Sequence, residues 1–223
     1  VCRLEVQAAE RWLELLLWEN TNDPRTRQEI NAAQGFCAPH TRQLAALEQG
    51  REGSVLGVNI IYENLAKQTA GALRAYKPGR VRLAWRPGSR GGAALAASGV
   101  CPACAAVEAN TINCLAALFQ SVQAGDADLI AAYAKSDGLC LRHLKRGLDA
   151  FGADHPLAAR HLADLAAARL EALRGQMREY IRKQNWAYRG EALSPAEAEA
   201  WEQALTFFTG LPGGKFTHKF EGF

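Results

Sequence analysis

Apolar residues recur along this chain at steps of three and four, the rhythm of helices with one buried face. Leu4, Ala8, Trp12, Leu15 and Leu16 follow that spacing, with Glu5, Glu10, Arg11 and Glu14 between them, and predict a helix over 3–20. Asn20 to Pro24 interrupts it. Asp23-Pro24 then opens a second helix, with proline at the first helical position, running to about Gln34. Gly35 supplies its stop. A third, short helix ends near Gly50, with Cys37 and His40 at its mouth. Val58, Tyr62, Leu65, Thr69, Ala72 and Tyr76 alternate steps of four and three. They predict a long helix over 54–76, with Ser54 as its N-cap and a seam for another helix.

The second half repeats this plan. Val107, Thr111, Leu115, Leu118 and Val122 mark a helix after Cys104, and Gly125-Asp126 turns the chain. A helix over 127–136 returns it, Gly138 precedes Cys140, and His143 begins the next helix. The longest pattern, 157–184, carries Ala166, Leu170, Leu173, Met177 and Tyr180 in the same four-three rhythm as 58–76. These two long helices are expected to pack together. Ser194-Pro195-Ala196-Glu197 is a strong helix start, with Trp201, Leu205 and Phe208 on the apolar face that follows and Gly210 at the end.

Two stretches break the rhythm. Residues 77–99 are basic and rich in glycine and proline, too long for an ordinary connection. They read first as a linker. Val81, Leu83 and Trp85 alternate with basic or small residues, so a short strand or an extended arm is the second reading. The tail from Leu211 to Phe223 sets Phe216, Phe220 and Phe223 among Lys215, His218 and Lys219. It is too short to form a core alone.

Composition supports helix. Of 223 residues, 48% are apolar, enough for a real core, and the net charge of +3 requires neither a nucleic-acid nor a membrane partner. No stretch approaches the ~18–20 apolar residues that span a bilayer. The chain begins at Val1 and its one methionine is Met177, so an initiating segment is expected upstream.

The cysteines give the pattern its chemistry. Cys101-Pro102-Ala103-Cys104 and Cys140-Leu141-Arg142-His143 have C-x-x-C and C-x-x-H spacing, as a Cys3His metal site requires. Cys2 and Gly35-Phe36-Cys37-Ala38-Pro39-His40 repeat it. Cys37 lies 35 positions after Cys2, and Cys140 lies 36 after Cys104. That is an internal duplication. Grouping the ligands by half gives Cys101, Cys104, Cys140 and His143 as one site, and Cys2, Cys37 and His40 as the other. The counterpart of Cys101-Pro102 would fall just before Val1, so the first site is expected to be seen incomplete. Zinc suits these ligands and supplies no redox chemistry, and an iron–sulfur cluster is the alternative. Cys-Pro-x-Cys is also a thiol–disulfide motif, but no strand precedes Cys101. Cys114 aligns with Trp12 on an apolar face and reads as core. His155, His161 and His218 lack a repeat partner, and a partly buried, hydrogen-bonded imidazole is expected at His161. Reduced, metal-bound thiols fit a reducing compartment, and a cytoplasmic location is expected.

No phosphate-binding glycine loop, dinucleotide fingerprint, HExxH or GxSxG occurs, and no carboxylate pair stands out for acid–base work. The duplicated halves, together with Asn185-Trp186-Ala187-Tyr188-Arg189-Gly190-Glu191 and the helix from Trp201 to Gly210, resemble an uncharacterised prokaryotic family of unknown function. The resemblance covers nearly the whole chain, and implies a mostly helical protein with Cys/His sites and no activity to transfer.

These observations predict an all-α protein of two similar halves, each closed by a Cys/His site, with a C-terminal helix. The divisions are 1–76, a linker or arm at 77–99, 100–184, and 185–223. The expected role is a non-enzymatic, zinc-stabilised adaptor or accessory subunit with a protein partner or a second copy of itself. Alternatives are an iron–sulfur or thiol-based redox protein, and a nucleic-acid binder using the 77–92 arm.

Overall fold

The computed structural model describes residues 1–50, 55–75, 96–188 and 190–210. The Ser54 cap, Tyr76, most of the 77–99 linker or arm, Arg189 and the phenylalanine-rich tail lie outside the described residues. Among those described, nine α-helices and no strand are found, so the all-α expectation holds.

The helices are α1 (Cys2–Leu15), α2 (Pro24–Ala32), α3 (Ala38–Gln49), α4 (Leu56–Ala75), α5 (Pro102–Gln123), α6 (Ala127–Lys135), α7 (Leu141–Phe151), α8 (Pro156–Lys183) and α9 (Pro195–Thr209). The punctuation seen in the sequence sets several ends. The Asp23 carboxylate accepts from Thr26 N–H at 2.7 Å, and Asp126 caps α6 the same way at Leu129. Ser194 and Glu197 form the full capping box of α9. One boundary differs from expectation. The predicted 3–20 helix is α-helical only to Leu15, and Leu16–Asn20 wind as a π-helical turn. Thr21 Oγ1 donates to Leu16 O at 2.9 Å, closing this widened turn from the side chain.

Contacts divide the chain into two compact units, residues 5–110 and residues 1–4 with 111–223. In the 5–110 unit, Leu13, Leu16, Ile30, Leu44, Ile61, Leu65 and Ala103 form the core, flanked by Trp12, Phe36 and Tyr62. Arg27 donates to Ile60 O at 3.1 Å and Asn64 to Asn31 at 3.0 Å, tying α2 to α4. Ser98 and Gly99 N–H both bond Ala32 O, which fixes the backbone just before Cys101.

The other unit has its own core of Leu115, Phe119, Val122, Leu139, Leu144, Ala158 and Leu162. Within this unit α8 packs on α9 and α7. Lys183 Nζ reaches both Glu197 carboxylate oxygens at 2.9 and 2.8 Å and Ala192 O at 3.0 Å, joining the end of α8 to the start of α9. Hydrogen bonds from Lys183 and from the Ser194 backbone hold the Glu197 carboxyl below its ordinary range. His161 is partly buried, as expected, and its Nε2 has no hydrogen-bond partner among the described residues.

Among the described residues, α5 is the one helix whose length and composition reach those of a membrane span. Its apolarity has a role in the fold, because Ala103, Leu115, Phe119 and Val122 on this helix are core residues.

Candidate metal centres

Each expected C-x-x-C or C-x-x-H pair sits at the start of a helix. Cys37 is the N-cap of α3 with φ −65° and ψ 159°, and Cys140 is the N-cap of α7 with φ −68° and ψ 162°. The two C-x-x-H segments thus share one backbone conformation at their cysteines. Two residues ahead, Gly35 (φ 98°) and Gly138 (φ 68°) take left-handed conformations that favour glycine. The residue between glycine and cysteine points an apolar side chain inward: Phe36 packs on one core and Leu139 belongs to the other. The third helical residue brings the imidazole back beside the thiol.

The two clusters expected from the sequence are present, but their membership differs from grouping by half. Cys37, His40, Cys101 and Cys104 converge in one place, and Cys2, Cys140 and His143 in another. The C-x-x-H of the first half meets the C-x-x-C of the second, and Cys2 meets the C-x-x-H of the second half. The physical reason lies in the packing. Ala103, inside the C-x-x-C, is fully buried in the core that α1–α4 build, so the start of α5 is drawn to α3. Val1, beside Cys2, packs on the core around Phe119 and Leu144, which draws the start of α1 to α7. Equal spacings in the two halves carry no record of this exchange.

The geometry of the first cluster suits one ion. His40 Nδ1 lies 3.1, 3.5 and 3.3 Å from the sulfurs of Cys37, Cys101 and Cys104, and Cys37 Sγ lies 3.6 Å from Cys104 Sγ. A tetrahedral zinc with bonds of ~2.3 Å to sulfur and ~2.0–2.1 Å to nitrogen sets its ligand atoms about 3.5–3.8 Å apart. The 3.5 and 3.6 Å separations match that range, and the 3.1 and 3.3 Å ones fall short of it. In the second cluster Cys2 Sγ is 3.4 Å from Cys140 Sγ, and His143 Nδ1 is 3.3 and 3.1 Å from the two sulfurs. Three donors converge there.

The neighbouring groups set the protonation tendencies of both clusters. Burial, the neighbouring Cys37 thiol and the charge of Cys101 push the Cys104 thiol up to about 12. Burial also opposes ionisation of Cys37, but the His40 backbone N–H and the neighbouring thiols outweigh it and bring Cys37 down. One thiolate is therefore favoured and the next is resisted by like charge. Burial lowers the His40 imidazole, keeping it neutral as a ligand must be. In the second cluster burial again works against ionisation, but hydrogen bonds from the His143 side chain and backbone bring Cys140 down to about 6. A divalent ion removes the repulsion among the thiolates, and the N-termini of α3, α5 and α7 add positive ends of helix dipoles.

Supporting groups hold the Cys140 loop in place. Tyr133 Oη accepts from Leu139 N–H at 3.1 Å, Ser136 Oγ accepts from Gly138 N–H at 3.0 Å, and Arg169 donates to Ser136 O at 2.8 Å. Cys114 joins neither cluster, and all six cysteines are unbridged. Sequence reasoning recognised Gly210 as a helix stop, but missed its position: a Cβ there would lie 3.1 Å from Cys140 Sγ and 3.5 Å from Cys2 Sγ. No spacing rule relates residue 210 to residues 2 and 140.

A family described as "Family of unknown function (DUF6062)" is matched by residues 1–212. Neither a curated protein nor a solved structure matches the chain.

Proposed function

We propose that this chain, which belongs to the DUF6062 family of unknown function, is a non-enzymatic helical adaptor or accessory subunit whose Cys/His clusters hold structural zinc. The observation that carries the reading is the convergence of three thiols and one imidazole from α3 and α5 on a single point. Four such donors complete a zinc sphere and leave no position for a substrate, which is the arrangement of structural rather than catalytic zinc. Unbridged thiols placed for a metal are what a reducing compartment maintains, which supports a cytoplasmic location.

A partner surface is supported by exposed apolar side chains. Trp186 is 79% exposed, Ile181 69% and Phe208 59%. Aromatic anchors of this kind dominate protein–protein binding energy. The tail beyond Gly210 adds three further phenylalanines.

Elemental analysis of the purified protein tests the metal assignment. Zinc without visible absorption is expected; iron with a sulfur-to-iron absorption band would move the reading to an iron–sulfur protein. The adaptor role is tested separately by deleting residues 211–223. Helicity and zinc content should stay unchanged while co-purification with a partner is lost. A truncated protein that keeps every partner, or a full-length protein that purifies alone as a monomer, would refute the role.

A further inference from the structure

The second cluster is enclosed by an element that contributes no ligand. Cys140 is 7% exposed, His143 1%, and Gly210 is buried beside them. Gly210 ends α9 in the left-handed region, φ 73° and ψ 19°, with its N–H donating to Thr206 O at 2.9 Å. Its missing side chain matters in two ways. The backbone conformation favours glycine, and a Cβ would press on Cys140 Sγ at 3.1 Å and stand in contact with Cys2 Sγ at 3.5 Å.

The charge of this contact is unexpected. A helix C-terminus carries the negative end of the helix dipole and has unsatisfied carbonyls. Here that end stands against the sulfurs of two candidate metal ligands, Cys140 and Cys2. Carbonyl oxygen and sulfur are both electron-rich, and a divalent ion between the sulfurs makes the contact attractive. We propose that α9 is the closing element of the second metal site, that Gly210 is the positioning residue which allows the closure, and that zinc there and docking of α9 stabilise one another. This rests on the reading above that the cluster takes zinc.

Reciprocity gives the proposal its reach. If zinc strengthens docking of α9 by some factor, docking of α9 strengthens zinc binding by the same factor. Because α9 is joined to α8 through Lys183 and Glu197 and presents exposed Leu205 and Phe208, zinc in this cluster governs how an apolar surface of the molecule is held.

Hydrogen exchange over residues 195–210 of the full chain, with zinc and after chelation, reads the coupling without any substitution. Protection should fall on chelation and return with zinc alone. Substitutions then separate contact from backbone strain. Gly125 has almost the same φ, 76°, with nothing within 4 Å of a Cβ built on it. Gly125→Ala should therefore leave zinc affinity unchanged, whereas Gly210→Ala should weaken the second site about 10–100-fold, the usual effect of disturbing groups around a metal's ligands. Phe207→Ala, which loosens α9 from a buried position outside the ligand set, should weaken the same site about fivefold or more through linkage. Affinity is read by competition with a chromophoric chelator.

If the wild-type chain takes no zinc, the metal assignment and this inference fail together. If it takes zinc while exchange in α9 ignores chelation, or while Gly210→Ala binds zinc as Gly125→Ala does, only the inference is overturned.

Discussion

Stripping the metal from this protein should abolish its cooperative thermal transition. Among the described residues, the 5–110 unit rests on a core cluster of seven buried side chains, one of which, Ala103, belongs to the ligand loop itself. Domains of this size are stable by about 5–15 kcal/mol. A structural zinc site contributes an apparent ~10–16 kcal/mol, so on the proposed reading the metal would be worth as much as the fold. A metal there would also close the chain between Cys37 and Cys104, across the stretch 77–99, and so remove entropy from the unfolded state. A strong chelator should therefore convert a sharp melt, followed by circular dichroism, into a broad non-cooperative loss of helix, and added zinc should restore it. Cys104→Ser should do the same to the 5–110 unit without chelator. An unchanged transition in metal-free protein would remove the structural role from both clusters. Acid should act like the chelator, because thiolates and imidazole must lose their protons to bind and metal affinity falls as pH falls.

Phe119→Ala should be the most damaging change away from the ligands. Phe119 is fully buried, packs on Phe151 with ring centroids 5.8 Å apart, and lies so near Gly147 that a Cβ there would come 2.5 Å from its ring. The site has closed around the ring and cannot collapse cheaply. A phenylalanine truncated to alanine in a packed core costs about 3–5 kcal/mol. The expected readout is a fall in denaturation midpoint with zinc content retained when the protein is folded. A loss below about 1 kcal/mol would mean that this core is not packed as described.

Much of this architecture is legible residue by residue. Asp23-Pro24 and Ser194-Pro195-Ala196-Glu197 announce helices because their caps are local: the bonding groups are a few positions apart. Glycine two residues before each C-x-x-H cysteine marks the turn that aims the ligands. The candidate ligands themselves are legible because their spacing fits the first turn of a helix. Their pairing is not. Each half offers chemically equivalent donors at nearly equal separation, so within-half and exchanged groupings satisfy the same spacings. The choice is made by Ala103 and Val1, small or apolar residues with no signature, which settle into cores built by other helices. The π turn at Leu16–Asn20 and the approach of Gly210 are equally silent, since each depends on one contact set by three-dimensional packing.

The exchange of ligand pairs is the central claim, and metal counting in double variants tests it most directly. Cys37→Ala/Cys104→Ala removes two donors from one cluster, whereas Cys104→Ala/Cys140→Ala removes one from each. Elemental analysis of the purified proteins should show that the first variant loses zinc from one site and keeps the other, while the second is depleted at both. Grouping by half predicts the opposite: loss at both sites for Cys37 with Cys104, and at one for Cys104 with Cys140. That result would contradict the arrangement described here.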